Sequence, residues 1–149
     1  MPTDYIPDDH ELMRSVAFAR LELDRDQRAV GILAEAFRLR PDEEFLSANW
    51  LDFFKNTERL DRIEAAIRSA RRSTRPPTRK SGFAIGRVAR IKSVAQRFGY
   101  RIRVTHDPVK GCAEHVALRQ FPNDCEELLE LLATDHWSEL ILNSDFPIS

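Results

Sequence analysis

From Ala65 to His106 the chain carries twelve Lys or Arg side chains and no Asp or Glu. Cations in such a block have no acidic neighbour along the chain, so they must face water or an acid brought from elsewhere, and the apolar residues between them are left to make the buried faces. The last stretch of the block shows the constraint most plainly. Tyr100-Arg-Ile102-Arg-Val104-Thr-His106 alternates strictly, which reads as a strand with one apolar and one polar face.

The formal charge of -1 conceals this division. Positions 1–64 net -6, 65–106 net +12, and 107–149 net -7. Local fields of that kind decide which partners a surface attracts, more than the total does. At 149 residues with 42% hydrophobic content, the expectation is a single domain over 1–149 with a core of its own, and with a possible internal division at the basic, proline-containing loop 73–81. Cys112 and Cys125 lie thirteen positions apart with no C-x-x-C pair, and the N-terminus lacks the pattern of a signal peptide. No apolar run approaches the ~20 residues that span a bilayer. The expected setting is the cytoplasm, with no membrane contact.

In chain order, Met1 to Pro7 reads as a loose arm. Residues 8–23 fit a short capped helix or a strand, and both stay open. Asp24 and Gln27 stand at capping-box spacing ahead of Val30, Leu33, Ala34 and Phe37, which predicts a helix ending at Pro41. Phe45 to Phe54 has the highest aromatic density in the chain and is expected in the core. Thr57 and Glu58 open a helix with Leu60, Ile63, Ile67 and Ala70 as its stripe, and Pro76-Pro77 stops it. A strand over 83–88, a helix over 89–98 closed by Gly99, and the alternating strand to His106 follow. A turn at Asp107–Gly111 leads to a second hairpin strand over 115–121, and an acidic helix opens at Pro122-Asn123-Asp124 with Leu128, Leu131, Leu132 and Ala133 buried. Ile141 to Ser149 reads as irregular or a short edge segment. The fold class is therefore α+β: N-terminal helices, then a β-α-β-β-α unit whose small mixed sheet is covered by helices on one face.

Two surfaces stand out. If Ile102 and Val104 face the core, Arg101, Arg103 and Thr105 share the other side, and burying Val116 and Leu118 sends His115, Ala117 and Arg119 there too. Arg101, Arg103, His115 and Arg119 thus form a candidate anion site, set against the plainer reading of a solvated hairpin face. The second surface is Arg68, Arg71, Arg72, Arg75, Arg79 and Lys80, with Ser and Thr donors between them. Such a cluster suits a polyanion without sequence readout, and it lacks the aromatics that would stack single-stranded bases. Its plainer readings are helix-dipole complementation and neutralisation by the acidic segments of the same fold or of an oligomer.

His10, His106, His115 and His136 show no metal-binding spacing, and five glycines leave little room for a phosphate loop, so no metal or cofactor is expected. A Cys112–His115 nucleophile pair is conceivable, but a turn role for Cys112 is favoured.

Phe37-Arg-Leu-Arg40 followed by Glu44-Phe-Leu46-Ser47-Ala-Asn49-Trp50, with His106-Asp107-Pro108 and His115-Val-Ala-Leu118, resembles a pattern in small bacterial proteins that have no established activity. The resemblance runs from Phe37 to Leu118, implies a bacterial cytosolic protein, and singles out Arg38, Ser47, Asn49, Asp107 and His115. The leading expectation is a non-catalytic binding or adaptor module that meets an acidic protein surface or nucleic acid through the basic segment. The alternative is a small nucleotide-using or other enzyme with its site near His115, in which Arg14 takes a phosphate, Ser47 sits on a strand and His115 serves the ribose.

Overall fold

The computed structural model describes residues 4–146. Its centre is β1 (Glu11–Val16), which hydrogen-bonds on both edges: to β4 (Phe45–Trp50) on one side and to β5 (Gly82–Arg87) on the other, both antiparallel. Beyond β4 lie β7 (His115–Arg119) and then β6 (Arg103–His106), and beyond β5 lies β8 (Glu139–Leu142). The resulting sheet has six strands in the order β6-β7-β4-β1-β5-β8, and every pairing is antiparallel. A separate two-stranded ribbon joins β2 (Leu21–Leu23) to β3 (Ala29–Ile32). Strands from both sides of the 73–81 loop pair with β1, so the loop joins two parts of one sheet.

Strand alternation divides the core in two. Leu12, Val16, Leu46, Ala48, Ala84, Val104, Val116 and Leu118 point to one face, where α2 (Val88–Arg97) and α3 (Glu126–Leu131) cover them together with Trp137. Met13, Phe83 and Ile85 point to the other face, where α1 (Arg59–Arg71) lays Ile63, Ala66, Ile67 and Ala70 over them at helical spacing. Each fully buried large side chain stabilises the fold by about 1.5–3 kcal/mol. The apolar stripe of α1 packs against β1, β5 and β8. On the same face β4, β7 and β6 carry Ser47, Asn49, Thr105, His115 and Arg119 beside the half-buried Phe45, outside the apolar stripe of α1.

The α+β class is as expected, but several finer expectations are corrected. The N-terminal half is built of strands: residues 8–23 hold β1, one 3-10 turn and β2, and 24–40 hold β3 and a second 3-10 turn in place of a helix. The Asp24 carboxylate does cap, but what it caps is a hairpin turn, accepting from the backbone N–H of Asp26 and Arg28 at 2.9 Å each, while Gln27 takes φ +62°. That local bonding competes with a helical first turn, and Val30 and Leu33, half of the apparent stripe, are 60% and 40% exposed. The sheet is antiparallel throughout where a small mixed one was expected, and helices cover parts of both faces where one was expected.

Leu60, assigned to the buried stripe of α1, is 63% exposed, and Ala66 takes the buried place. Phe45, Trp50, Phe53 and Phe54 are only half-buried. Residues 4–6 dock along β6, with Ile6 buried and its N–H bonded to the Val104 carbonyl at 3.0 Å, whereas a loose arm was expected. The remainder of that arm, Met1–Thr3, and the end of the C-terminal segment, 147–149, lie outside the described residues. No helix among the described residues is long and apolar enough to cross a membrane.

Candidate functional site

The central strands β1 and β4 part company. They pair only at Leu12–Trp50 and Met13–Asn49, and beyond those pairs a gap opens between Arg14-Ser15 and Ser47-Ala48. Backbone groups left by such a split need partners. Arg14 supplies one: its Nη1 donates to the Ser47 carbonyl at 2.6 Å, while its Nε donates to the Ala36 carbonyl of the 3-10 turn Ala34–Phe37 at 2.8 Å.

A guanidinium has five N–H donors in a planar fork. Two are committed here, and Nη2 has no protein partner among the described residues. The side chain as a whole is half-buried, yet its head lies deep enough that burial pushes its pKa down to about 10. Glu43 acts in the opposite direction, and Arg20 and Arg40 add to the depression. Arg14 is therefore still a cation at neutral pH, with donors to spare.

The gap opens into a cavity of about 600 Å³ that the end of α1 borders. Its floor is Ser15, Ser47 and Asn49. One wall comes from the end of α1 and the loop after it, with Ser69, Ser73, Thr74, Arg75 and Thr78, and the opposite wall from Cys112, Glu114 and His115. Arg20, Arg40 and Glu43 close the end nearest Arg14. Pro76 and Pro77 hold the loop extended, and Ser81 Oγ fastens its end to the Thr78 carbonyl at 2.7 Å, which gives that wall a fixed course.

Hydrogen bonds join the far wall to α1 and to the floor. Glu114 is buried, and its Oε1 accepts from Ser69 Oγ on α1. The Cys112 thiol donates to Asn49 Oδ1 at 3.5 Å, and burial, reinforced by the Glu114 charge, pushes that thiol up to about 12. Cys112 is thus a thiol, not a thiolate, at neutral pH, which removes it as a nucleophile in a pair with His115. His115 Nδ1 lies 2.8 Å from the Asp107 carbonyl and 3.4 Å from its carboxylate, and since neither oxygen can donate, Nδ1 carries a proton; a neutral ring bonded in this way has Nε2 as its acceptor.

Arg14, Ser47 and His115, far apart in sequence, therefore line one cavity, and Asn49 joins them. Asp107 sits behind His115 and does not line the cavity. Arg38 lies on the other side of the sheet, where it bonds Glu35 and Glu126 and so ties the 3-10 turn at Ala34–Phe37 to α3. The candidate anion set is dispersed. Arg103 and Arg119 face each other across β6 and β7, but Arg119 packs on the Phe45 ring at 5.1 Å and bonds Thr105, Arg103 lies over Tyr5, and Arg101 is exposed outside the strand. Of that set, His115 alone lines the cavity.

The basic segment also separates into parts. Arg71 is a strut, its guanidinium bonded to the Asn143 side chain and to the Asn143 and Phe146 carbonyls. Arg68 pairs with Glu64, and Lys80 lies over the Phe18 ring. Arg72, Arg75 and Arg79 are exposed and have no acidic partner within 4 Å among the described residues, and of the segment's cations only Arg75 lines the cavity. Of the acidic helix α3, Glu126 pairs with Arg38.

Arg20, Arg40, Glu43 and Ser69 have no motif to mark them in the sequence. They reach the site through the β1–β2 and β3–β4 connections and through α1. Among the described residues no group of three or more acidic, His or Cys side chains is arranged to hold a metal ion. No family model, curated protein or solved structure matches this chain.

Proposed function

We propose that this protein is a binding module that holds a small anionic ligand in the cleft between β1 and β4, and that the exposed part of the basic segment forms the rim by which anions approach. One observation carries the reading: Arg14 is a half-buried cation at a split in the sheet that lines the cavity, uses two of its five donors on carbonyls and has no protein partner for the others among the described residues. Guanidinium donors held in a preformed, partly desolvated recess suit a phosphate or carboxylate, because charge-assisted bonds there replace few water contacts. The structural part of Arg14's role explains its two carbonyl bonds and leaves the other donors without a purpose.

The test is calorimetric titration with inorganic phosphate and with pyrophosphate at low salt, backed by thermal shift. The expected result is saturable binding that weakens about tenfold or more in Arg14→Lys and in Arg75→Ala. Absence of binding by the wild-type protein, or affinity unchanged in both variants, overturns it. The rim reading extends to a polyanionic partner, supported by the unpaired, exposed Arg72, Arg75 and Arg79. It predicts salt-sensitive retention on an acidic matrix that charge reversal of these three removes.

A second reading has its own support, namely that Arg14, Ser47 and His115 share the cavity and that His115 Nε2 is left as an acceptor. In that reading the site is catalytic and His115 is its base. Turnover that persists unchanged in His115→Ala would exclude it.

A further inference from the structure

The cleft is not uniform along its length, and its chemistry specifies more than an anion. Resting on the binding reading above, we infer that its ligand is a phosphorylated polyol such as a sugar phosphate, and not a nucleotide. The cationic end gathers Arg14, Arg20 and Arg40 against a single carboxylate, Glu43. The other end gathers Glu114, Asn49 and His115. Ser47 and Asn49 mark the two zones on one face of β4, and two residues along a strand separate them by about 7 Å.

Accounting for the groups already used at that second end defines what is left. Asn49 Oδ1 takes the Cys112 thiol, which leaves its Nδ2 as a donor. The Glu114 carboxylate takes Ser69 Oγ on Oε1 and also shares a hydrogen bond with the Cys112 side chain, and the lone pairs that remain on its two oxygens are acceptors. His115 Nδ1 is committed to Asp107, which leaves Nε2 as an acceptor. One donor beside two acceptors suits adjacent hydroxyls, each of which both gives and takes a hydrogen bond. A second anionic group is disfavoured there, because the buried Glu114 would repel it.

The hydroxyls of Ser15, Ser47, Thr74 and Thr78 also line the cavity and have no protein partner of their own among the described residues. Apart from the imidazole of His115, the described residues of the lining contain no aromatic ring. A base would therefore find no flat apolar platform to stack on, and stacking is worth about 1–3 kcal/mol per base where such a platform exists. Polyol carbons bear their own hydroxyls and need none.

The experiment compares inorganic phosphate, glucose 6-phosphate, ribose 5-phosphate, glucose and AMP by calorimetry on the full chain. The expected order places at least one sugar phosphate about tenfold or more tighter than inorganic phosphate and tighter than AMP, with glucose far weaker. In Glu114→Gln, which keeps the shape and the Ser69 contact, the ratio of sugar phosphate affinity to inorganic phosphate affinity shrinks. Asn49→Asp, which exchanges the donor for a charge, shrinks the same ratio and serves where the first variant folds poorly. Inorganic phosphate binding as well as both sugar phosphates, or AMP binding tighter than either, overturns this inference and leaves the anion site standing. Binding of none of the phosphates overturns both.

Discussion

Arg14 Nη1 donates to the Ser47 carbonyl at 2.6 Å across the point where β1 and β4 have separated, so one side chain does the work of the missing ladder. Its Nε does the same for the Ala36 carbonyl on the 3-10 turn. Truncation leaves both carbonyls without their donor. Arg14→Met is expected to lower stability by about 2–4 kcal/mol, since hydrogen bonds from a charged donor are worth about 1.5–3 kcal/mol each and part of that is recovered by water entering the cleft. Urea denaturation measures it, and a loss under 1 kcal/mol would mean that the gap is held by other contacts.

Gly86 on β5 has a different kind of necessity. A Cβ there would stand 2.7 Å from Trp137 Cδ1 and 2.9 Å from both the His136 carbonyl and Trp137 Cα. Trp137 is fully buried and fixed by its Nε1 bond to the Ala84 carbonyl, so it cannot yield. Gly86→Ala should destabilise by about 1–3 kcal/mol through overpacking. Gly99, with φ +84° and open space around its Cβ position, should lose only about 1 kcal/mol as alanine, from backbone strain alone. Equal losses at the two positions would contradict this account.

The Cys112 thiol gives a reactivity prediction. Held up to about 12 by burial first and by Glu114 second, it has little thiolate at pH 7.5. A brief exposure to iodoacetamide should leave Cys112 unmodified in the folded protein and alkylate it in urea, as mapped by mass spectrometry. Glu114→Gln should change this only modestly, because the larger cause remains. Rapid native labelling would show that the thiol is far more open than its hydrogen bond to Asn49 implies.

What could be read from the sequence depended on how local the signal was. The hairpin of β6 and β7 was legible because strict alternation forces Val104, Val116 and Leu118 to one side, and α2 was legible because Gly99 can end a helix where most residues cannot. Residues 24–40 misled because Val30, Leu33 and Phe37 are spaced as on a helix, while the deciding interaction is the short-range bonding of Asp24 to its own turn. The cleft was only half legible. Arg14, Ser47 and His115 can be singled out as residue types, but their meeting depends on β1 pairing with β4 and β4 with β7, contacts set by tertiary packing. The basic block was legible as charge and silent about purpose: nothing local distinguishes Arg71, which fastens Asn143, from Arg75, which borders the cleft.

His136 links the fold to pH. It ends the π-helical turn after α3, is buried, and has no hydrogen-bond partner on either ring nitrogen among the described residues. Burial lowers its pKa, with Arg90 and Arg97 acting in the same direction and Asp135, whose carboxylate lies 3.5 Å from Nε2, opposing them. The unfolded chain, with an ordinary His pKa of about 6.5, then binds the proton more readily than the folded one. This group's contribution is full above that value and is lost as pH falls through the depressed folded-state pKa. His136→Leu should remove that component, so the difference in unfolding free energy between variant and wild type should grow in the variant's favour as pH drops from 7 towards 5. At pH 7 the variant should be as stable as the wild type or more so, since it also removes two unpaired buried nitrogens. Urea midpoints across that range test both statements, and parallel pH curves for the two proteins would show that the ring is protonated as easily inside the fold as outside it.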